Sequence, residues 1–165
     1  MKRSALFALA GLLLAAPALA FMLDVPLAQN ASESDAIVRG TVVSRSSHFL
    51  ETGERFIVTD VTLAVTESWK GTLAAGRQMT FRVNGGEVGE LGMRQEHQAA
   101  FVDGEDVVLF LRVTPSARWA VSYDEQGKFS VHGDRVIGSR GDAGALQAFR
   151  STVRQLSLVS PKRDH

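Results

Sequence analysis

The stretch FIVTDVTLAVTESW, residues 56–69, limits the fold more than any other part of the chain. From Val61 the alternation is strict. Val61, Leu63, Val65 and Trp69 fall on one face, and Asp60, Thr62, Thr66 and Ser68 on the other. A period of two is that of a β-strand with one face buried. Phe56 and Val58 sit on the opposite parity, which predicts either a β-bulge near Thr59 or an end covered on both faces. Lys70-Gly71 closes the strand.

Other segments repeat this pattern. AIVRGTVVS (36–44) is β-branched, with Gly40 marking a bulge or bend. SSHFLETGER (46–55) reads as a polar connection with a turn at Thr52-Gly53. QMTFRV (78–83) alternates, with Met79, Phe81 and Val83 inward. VVLFLRV (107–113) is apolar at nearly every position, which predicts a central strand covered on both faces. RWAVSY (118–123) and KFSV (128–131) flank DEQG and read as a hairpin.

Helical signals lie at the two ends of the domain. Pro26–Glu33 reads as a short helix with Pro in its first turn. In DAGALQAFRSTVRQL (142–156), Leu146, Phe149, Val153 and Leu156 form one helical stripe, with Asp142 as the expected N-cap. The expected fold is mainly β: a small closed or partly open antiparallel β-barrel of OB-like form, with six or seven strands. A short N-terminal helix and a C-terminal amphipathic helix complete it.

The first twenty residues, MKRSALFALAGLLLAAPALA, read as a secretory signal peptide. Lys2 and Arg3 precede an apolar run, and Ala18-Leu19-Ala20 is a cleavage site. The run is short for a membrane span, which needs about 20 apolar residues. Cleavage before Phe21 leaves residues 21–158 as a single domain and 159–165 as a polar tail. The expected location is the periplasm or the extracellular space, with no membrane contact after cleavage.

The full chain carries 18 basic and 18 acidic residues. Two of the basic ones leave with the leader, so the mature form is slightly acidic. A nucleic-acid binder carries a clustered basic surface, and nothing in this charge balance suggests one. The chain has no cysteine, which removes disulfides, thiolate nucleophiles and Cys-based metal sites.

RVNGGEVGELGMR (82–94) is the most motif-like stretch. Its spacing is not that of a dinucleotide fingerprint, and no amphipathic helix follows it. Met93-Arg94 stands where a phosphate loop needs Lys-Ser/Thr, and Glu87 and Glu90 repel phosphate. The stretch therefore reads as a turn-rich structural loop, with a loop that also contacts a partner as the alternative. The candidate contact residues are Asn84, Gly85, Gly86, Glu87, Gly89, Glu90 and Arg94, with the adjoining 94–101 segment.

Nothing else carries a catalytic signature. His48, His97, His132 and His165 form no metal-ligand spacing, and no nucleophile elbow is present. Trp69, Trp119 and Tyr123 share the parity of core residues. No cofactor is called for, and no metal.

Taken together, SDAIVRGTVVS, TDVTLAVTESWKG, GGEVG and FVDGEDVVLFLR resemble a group of bacterial secreted proteins of unknown function, over about residues 33–112. The resemblance implies an OB-type barrel similar to netrin-like modules and tissue inhibitors of metalloproteinases. Those inhibitors present an N-terminal cysteine to the protease zinc, which this chain lacks. The leading expectation is a secreted, non-catalytic binding module with a protein partner. A structural envelope protein or oligomer component is one alternative. An enzyme is the other, with Glu96, His97 and Asp103 converging in one pocket.

Overall fold

The computed structural model describes residues 24–50 and 56–158. The leader, the expected Thr52-Gly53 turn and the polar tail lie outside them. Helix α1 (Leu27–Glu33) is followed by β1 (Ala36–Phe49), β2 (Ile57–Lys70) and β3 (Gln78–Asn84). Two short strands, β4 (Gly86–Val88) and β5 (Leu91–Met93), come next, then β6 (Asp106–Val113) and β7 (Trp119–Val121). A 3₁₀ turn (Asp124–Gly127) leads to β8 (Lys128–His132), β9 (Arg135–Gly138), β10 (Gly141–Ala145) and helix α2 (Leu146–Ser157).

The main sheet is antiparallel, in the order β10-β9-β8-β6-β1-β2-β3, with β7 also paired to β6. No strand pairing closes it into a barrel among the described residues. β4 and β5 form a separate two-stranded sheet. The central place of β6 follows from its sequence: Val107 to Leu111 are all fully buried, because both faces of the sheet are covered there. On one face, Val38, Val42, Val61, Leu63, Phe81, Val107 and Leu109 pack with Phe101. On the other, Ile37, Val108 and Phe110 pack against Ala31 of α1 and Phe149 and Val153 of α2. The helical stripe of the tail is thus used as its spacing predicts.

Several expectations are corrected. The 46–49 stretch is not a connection, because β1 runs through to Phe49. Of the two alternatives at the start of β2, the end covered on both faces is the one found, since the register around Thr59 is continuous against β3 and against β1. Ile57 and Val58 are both buried. Besides a mid-strand shift at Val42–Ser44 opposite Leu63–Thr62, two shifts lie at the other end of β2. Arg39 pairs Glu67 while Gly40 pairs Val65, and Ile37 pairs Lys70 while Val38 pairs Ser68. Trp69 is the extra residue of the second shift. It joins the helix-side cluster, its ring 6.2 Å from that of Phe149, rather than the face of Val61 and Leu63. Gly40 sits at the first shift, and a Cβ there would lie 2.4 Å from the Ala64 carbonyl oxygen.

The 118–131 region is not a hairpin. β7 pairs Leu111–Val113 and β8 pairs Val107–Leu109, so both lie along one edge of β6. DEQG makes a 3₁₀ detour out of that edge, not a reversal. Val25 N–H donates to Gln126 Oε1 at 2.8 Å and Asn30 Nδ2 donates to the Gln126 carbonyl at 3.0 Å, which dock the detour on α1. Tyr123 starts the detour with φ +53° and bonds Glu33, so it lies outside the strand parity assigned to it.

The N-cap of α2 is Ala145, not Asp142. Asp142 lies in β10, where it pairs with Arg135 and accepts from Gly144 N–H at 2.8 Å. β9 and β10 were not anticipated, and neither was the β4–β5 pair. Lys70 gains a reason: its ammonium donates to the carbonyls of Ala31 (2.8 Å) and Ser32 (2.9 Å) near the C-terminal end of α1.

An ion network also links α2 to the sheet. Arg39 bridges Glu67 (3.0 Å) and Asp106 (2.7 Å), and Arg150 of α2 reaches Glu67 at 3.2 Å. The Arg150 side chain is 36% exposed, so the pair is screened. Arg150→Ala is expected to lower stability by only about 0.5 kcal/mol in urea denaturation. A loss several times larger would mean that α2 is held by charge rather than by Phe149 and Val153.

Candidate binding cleft

The glycine-rich stretch is a β-hairpin, not an irregular loop. Gly86 pairs Met93, Glu87 pairs Gly92 and Val88 pairs Leu91. Gly89 and Glu90 make the two-residue turn, with Gly89 at φ +61°. Gly86 takes φ +131°, a conformation that only glycine adopts without strain. A Cβ on Gly86 would lie 2.3 Å from Thr59 Oγ1 and 2.5 Å from Ser47 Oγ.

Those hydroxyls anchor the hairpin. Thr59 Oγ1 donates to the Gly85 carbonyl at 2.7 Å, and the Ser47 hydroxyl lies 2.9 Å from Thr59 Oγ1. Thr59 is buried, so its hydroxyl needs these partners. Gly85 N–H donates to the Ile57 carbonyl at 2.8 Å, which ties the hairpin's entry to β2.

A cleft of about 950 Å³ lies between this hairpin and the 94–101 segment. Val61, Val83, Ala99 and Phe101 give it an apolar floor, and Arg45, Glu87, Arg94, Glu96 and His97 are among its polar residues. Phe101 is fixed edge-on against Phe81, with ring centroids 5.1 Å apart. Among the anticipated contact residues, Asn84, Gly85, Gly86, Glu87 and Arg94 line the cleft. Gly89 and Glu90 are at the hairpin tip, outside the lining. Arg45, Ser47 and Thr59 line it too and were not anticipated. They come from β1 and β2, and no local pattern marks them.

The 94–101 wall is held chiefly by Lys128 of β8. Its ammonium pairs with Glu105 at 2.7 Å, donates to the Ala100 carbonyl at 2.5 Å and lies 5.0 Å from the centre of the Phe101 ring. Ser130 Oγ donates to Glu105 Oε1 at 2.6 Å. At the other end, Glu125 N–H donates to the His97 carbonyl at 3.0 Å, and His97 Nδ1 lies 3.2 Å from Glu125 Oε1. Glu96 and His97 reach the cleft, but Asp103 lies outside its lining and pairs with Arg45 at 2.8 Å. The three-residue convergence that an enzyme reading required is not formed. Among the described residues, no group of three or more His, Asp or Glu side chains is placed to hold a metal.

Three carboxyls of the domain, Glu105, Glu67 and Asp60, lie below the ordinary range. Burial pushes the Glu105 carboxyl up, but Lys128 and Ser130 together draw it below the ordinary range. Glu67 is likewise pushed up by burial and drawn lower by Trp69, Arg39 and Arg150. Asp60 is lowered mainly by Arg82, which it binds at 2.7 and 3.0 Å. A carboxyl depressed on folding contributes stability that is complete above its unfolded value and is lost as pH falls through its folded value. The urea midpoint is therefore expected to stay level down to about pH 5 and to drop below about pH 4.5. A midpoint that rises on acidification would contradict these pairings.

A second, smaller cavity of about 330 Å³ adjoins the first and shares Val83, Asn84 and Gln98 with it. It lies in the seam between β3 and β7, which approach one another without pairing. Arg82, Arg112, Arg118 and Trp119 line it, with Asp124 the one carboxylate in its lining. Trp119 packs partly against the inner core, as its strand parity suggests. No family model matches this sequence, and no curated protein matches it.

Proposed function

We propose that the chain is an exported, non-catalytic binding module that holds a segment of a protein partner in the hairpin cleft. The observation that carries this reading is the cleft itself: an apolar floor, a mixed polar rim, and walls fixed by buried anchors. Its volume is in the range of ligand sites, about 300–1,000 Å³. Leu91, 47% exposed, lies outside the cleft's lining but on the same hairpin, where it offers an exposed apolar contact.

The leader-like N-terminus supports export. The finer description of the fold belongs to this proposal as well. β3 and β7 run in the same direction, by the alternation through β2, β1 and β6, and face each other across the seam. That arrangement favours a partly open, OB-like barrel. The resemblance to secreted bacterial proteins points the same way and carries no activity with it.

The test is capture of a partner from the native envelope fraction with the mature chain. A Leu91→Asp/Arg94→Glu variant is expected to lose the captured protein, while Arg154→Glu, at an exposed position of α2, keeps it. Equal capture by both variants, or none by the parent chain, would remove the proposal. Gly86 is unsuitable for this purpose, because any side chain there strikes Ser47 and Thr59.

A further inference from the structure

The seam cavity carries chemistry that the hairpin cleft does not. Gly85 N–H bonds to the Ile57 carbonyl, and Val65 N–H to the Arg77 carbonyl. In an antiparallel ladder this phase turns the amides of Phe81 and Val83 toward β2. The backbone N–H and C=O groups of Arg82 and Asn84 therefore face the seam. On the far side, Ser122 N–H bonds to the Phe110 carbonyl and Thr114 N–H to the Arg118 carbonyl. By the same phase, the backbone groups of Trp119 and Val121 face the seam from β7.

The side chains add positive charge. Arg112 stands opposite Ala120, and Arg118 opposite Thr114, so the two arginines are diagonal neighbours on one face of the β6–β7 ladder. Arg82 is neutralised by Asp60. Arg118 lies close enough to help stabilise the Asp60 charge. Among the described residues neither Arg112 nor Arg118 forms an ion pair, and both are exposed. Asp124 offsets one of these charges.

We propose that this pocket recognises an acidic side chain, Asp or Glu, of an extended peptide whose apolar residues lie in the hairpin cleft. The proposal rests on the binding-module reading above and names its partner's chemistry. Two guanidiniums and outward backbone N–H groups are donors suited to a carboxylate. The shared residues Val83, Asn84 and Gln98 place the two cavities side by side, so one segment reaches both.

Trp119 in the pocket is the optical probe, because Trp69 is buried in the other cluster. The mature chain is titrated at low salt with amidated peptides of about ten residues, alternating Val and Ser around one Glu. A Gln peptide and a free-carboxyl form of the Gln peptide serve as comparisons. The Glu peptide is expected to bind about tenfold tighter than the Gln peptide and to change Trp119 emission. Arg112→Gln/Arg118→Gln should abolish that preference while leaving the thermal melt unchanged. Leu91→Ser, which adds no charge, should weaken both peptides alike.

Equal binding of the Glu and Gln peptides, or an unaltered preference in the arginine variant, overturns the proposal and leaves the binding module standing. A preference carried by the free C-terminus overturns the side-chain assignment. Succinate quenching Trp119 through the arginines, with no peptide bound, overturns the peptide source. If no peptide binds and no captured partner depends on Leu91, the binding-module reading itself has failed.

Discussion

Replacing Lys128 with methionine is expected to lower the stability of the folded chain by about 3 kcal/mol. The Lys128 and Glu105 side chains are only 14% and 15% exposed, so removing the ammonium strands a charge in a poorly solvated site. Methionine keeps an aliphatic stem over Phe101, so the loss reports the charge and its bond to the Ala100 carbonyl. Adding Glu105→Gln should restore part of the loss, because the stranded charge is then gone. The deficit should also shrink below about pH 4.5, where Glu105 takes up a proton in the variant. Urea denaturation of the two single variants and the double variant measures all three effects. Additive losses would mean that the two residues do not act as a pair.

Gly86→Ala is expected to cost a similar amount, about 3 kcal/mol, for an unrelated reason. The new methyl meets the Thr59 and Ser47 hydroxyls well inside contact distance, and φ +131° is strained for any residue with a Cβ. Relief requires the hairpin to move away from β2, which breaks the Thr59 bond to the Gly85 carbonyl. Gly89→Ala is the control. Its backbone is also left-handed, at φ +61°, but nothing lies within 4 Å of the added methyl. It should cost about 1 kcal/mol, the conformational penalty alone. Equal losses at the two positions would show that packing against Ser47 and Thr59 does not fix the hairpin.

These two positions also show what could be read in the sequence. The alternating run at 61–65, the inward Met79, Phe81 and Val83, the fully apolar 107–111 and the stripe of α2 all fold as their periods require. Period reports burial, and burial decides those elements. Trp69 defeats the same rule, because the register shifts of β2 against β1 carry it to the other face, and a bulge leaves no mark in the parity of one strand. DEQG misled for a different reason: a polar turn ending in Gly serves equally for reversing a chain and for a detour along one edge. β9 and β10 are short and glycine-bearing, too brief to show a period.

The candidate cleft was half legible. Asn84, Gly85, Gly86 and Glu87 stood out because glycines cluster there, and clustering is local. Arg45, Ser47, Thr59 and Lys128 could not be found that way. Strand pairing and tertiary packing bring them to the hairpin and the 94–101 wall from distant parts of the chain. The seam pocket was invisible for the same reason, since Arg82 meets Arg112 and Arg118 only once β3 and β7 stand side by side.

The proposed partner surface is the hairpin together with the 94–101 wall. A photo-reactive benzophenone residue placed at Leu91, at Gln95 and, as a control, at Arg154 of α2 tests it most directly. The mature chain is irradiated in its native envelope fraction. One adduct of the same mass is expected from Leu91 and Gln95, and none from Arg154. Adducts from Arg154 alone, or the same adduct from all three positions, would contradict it.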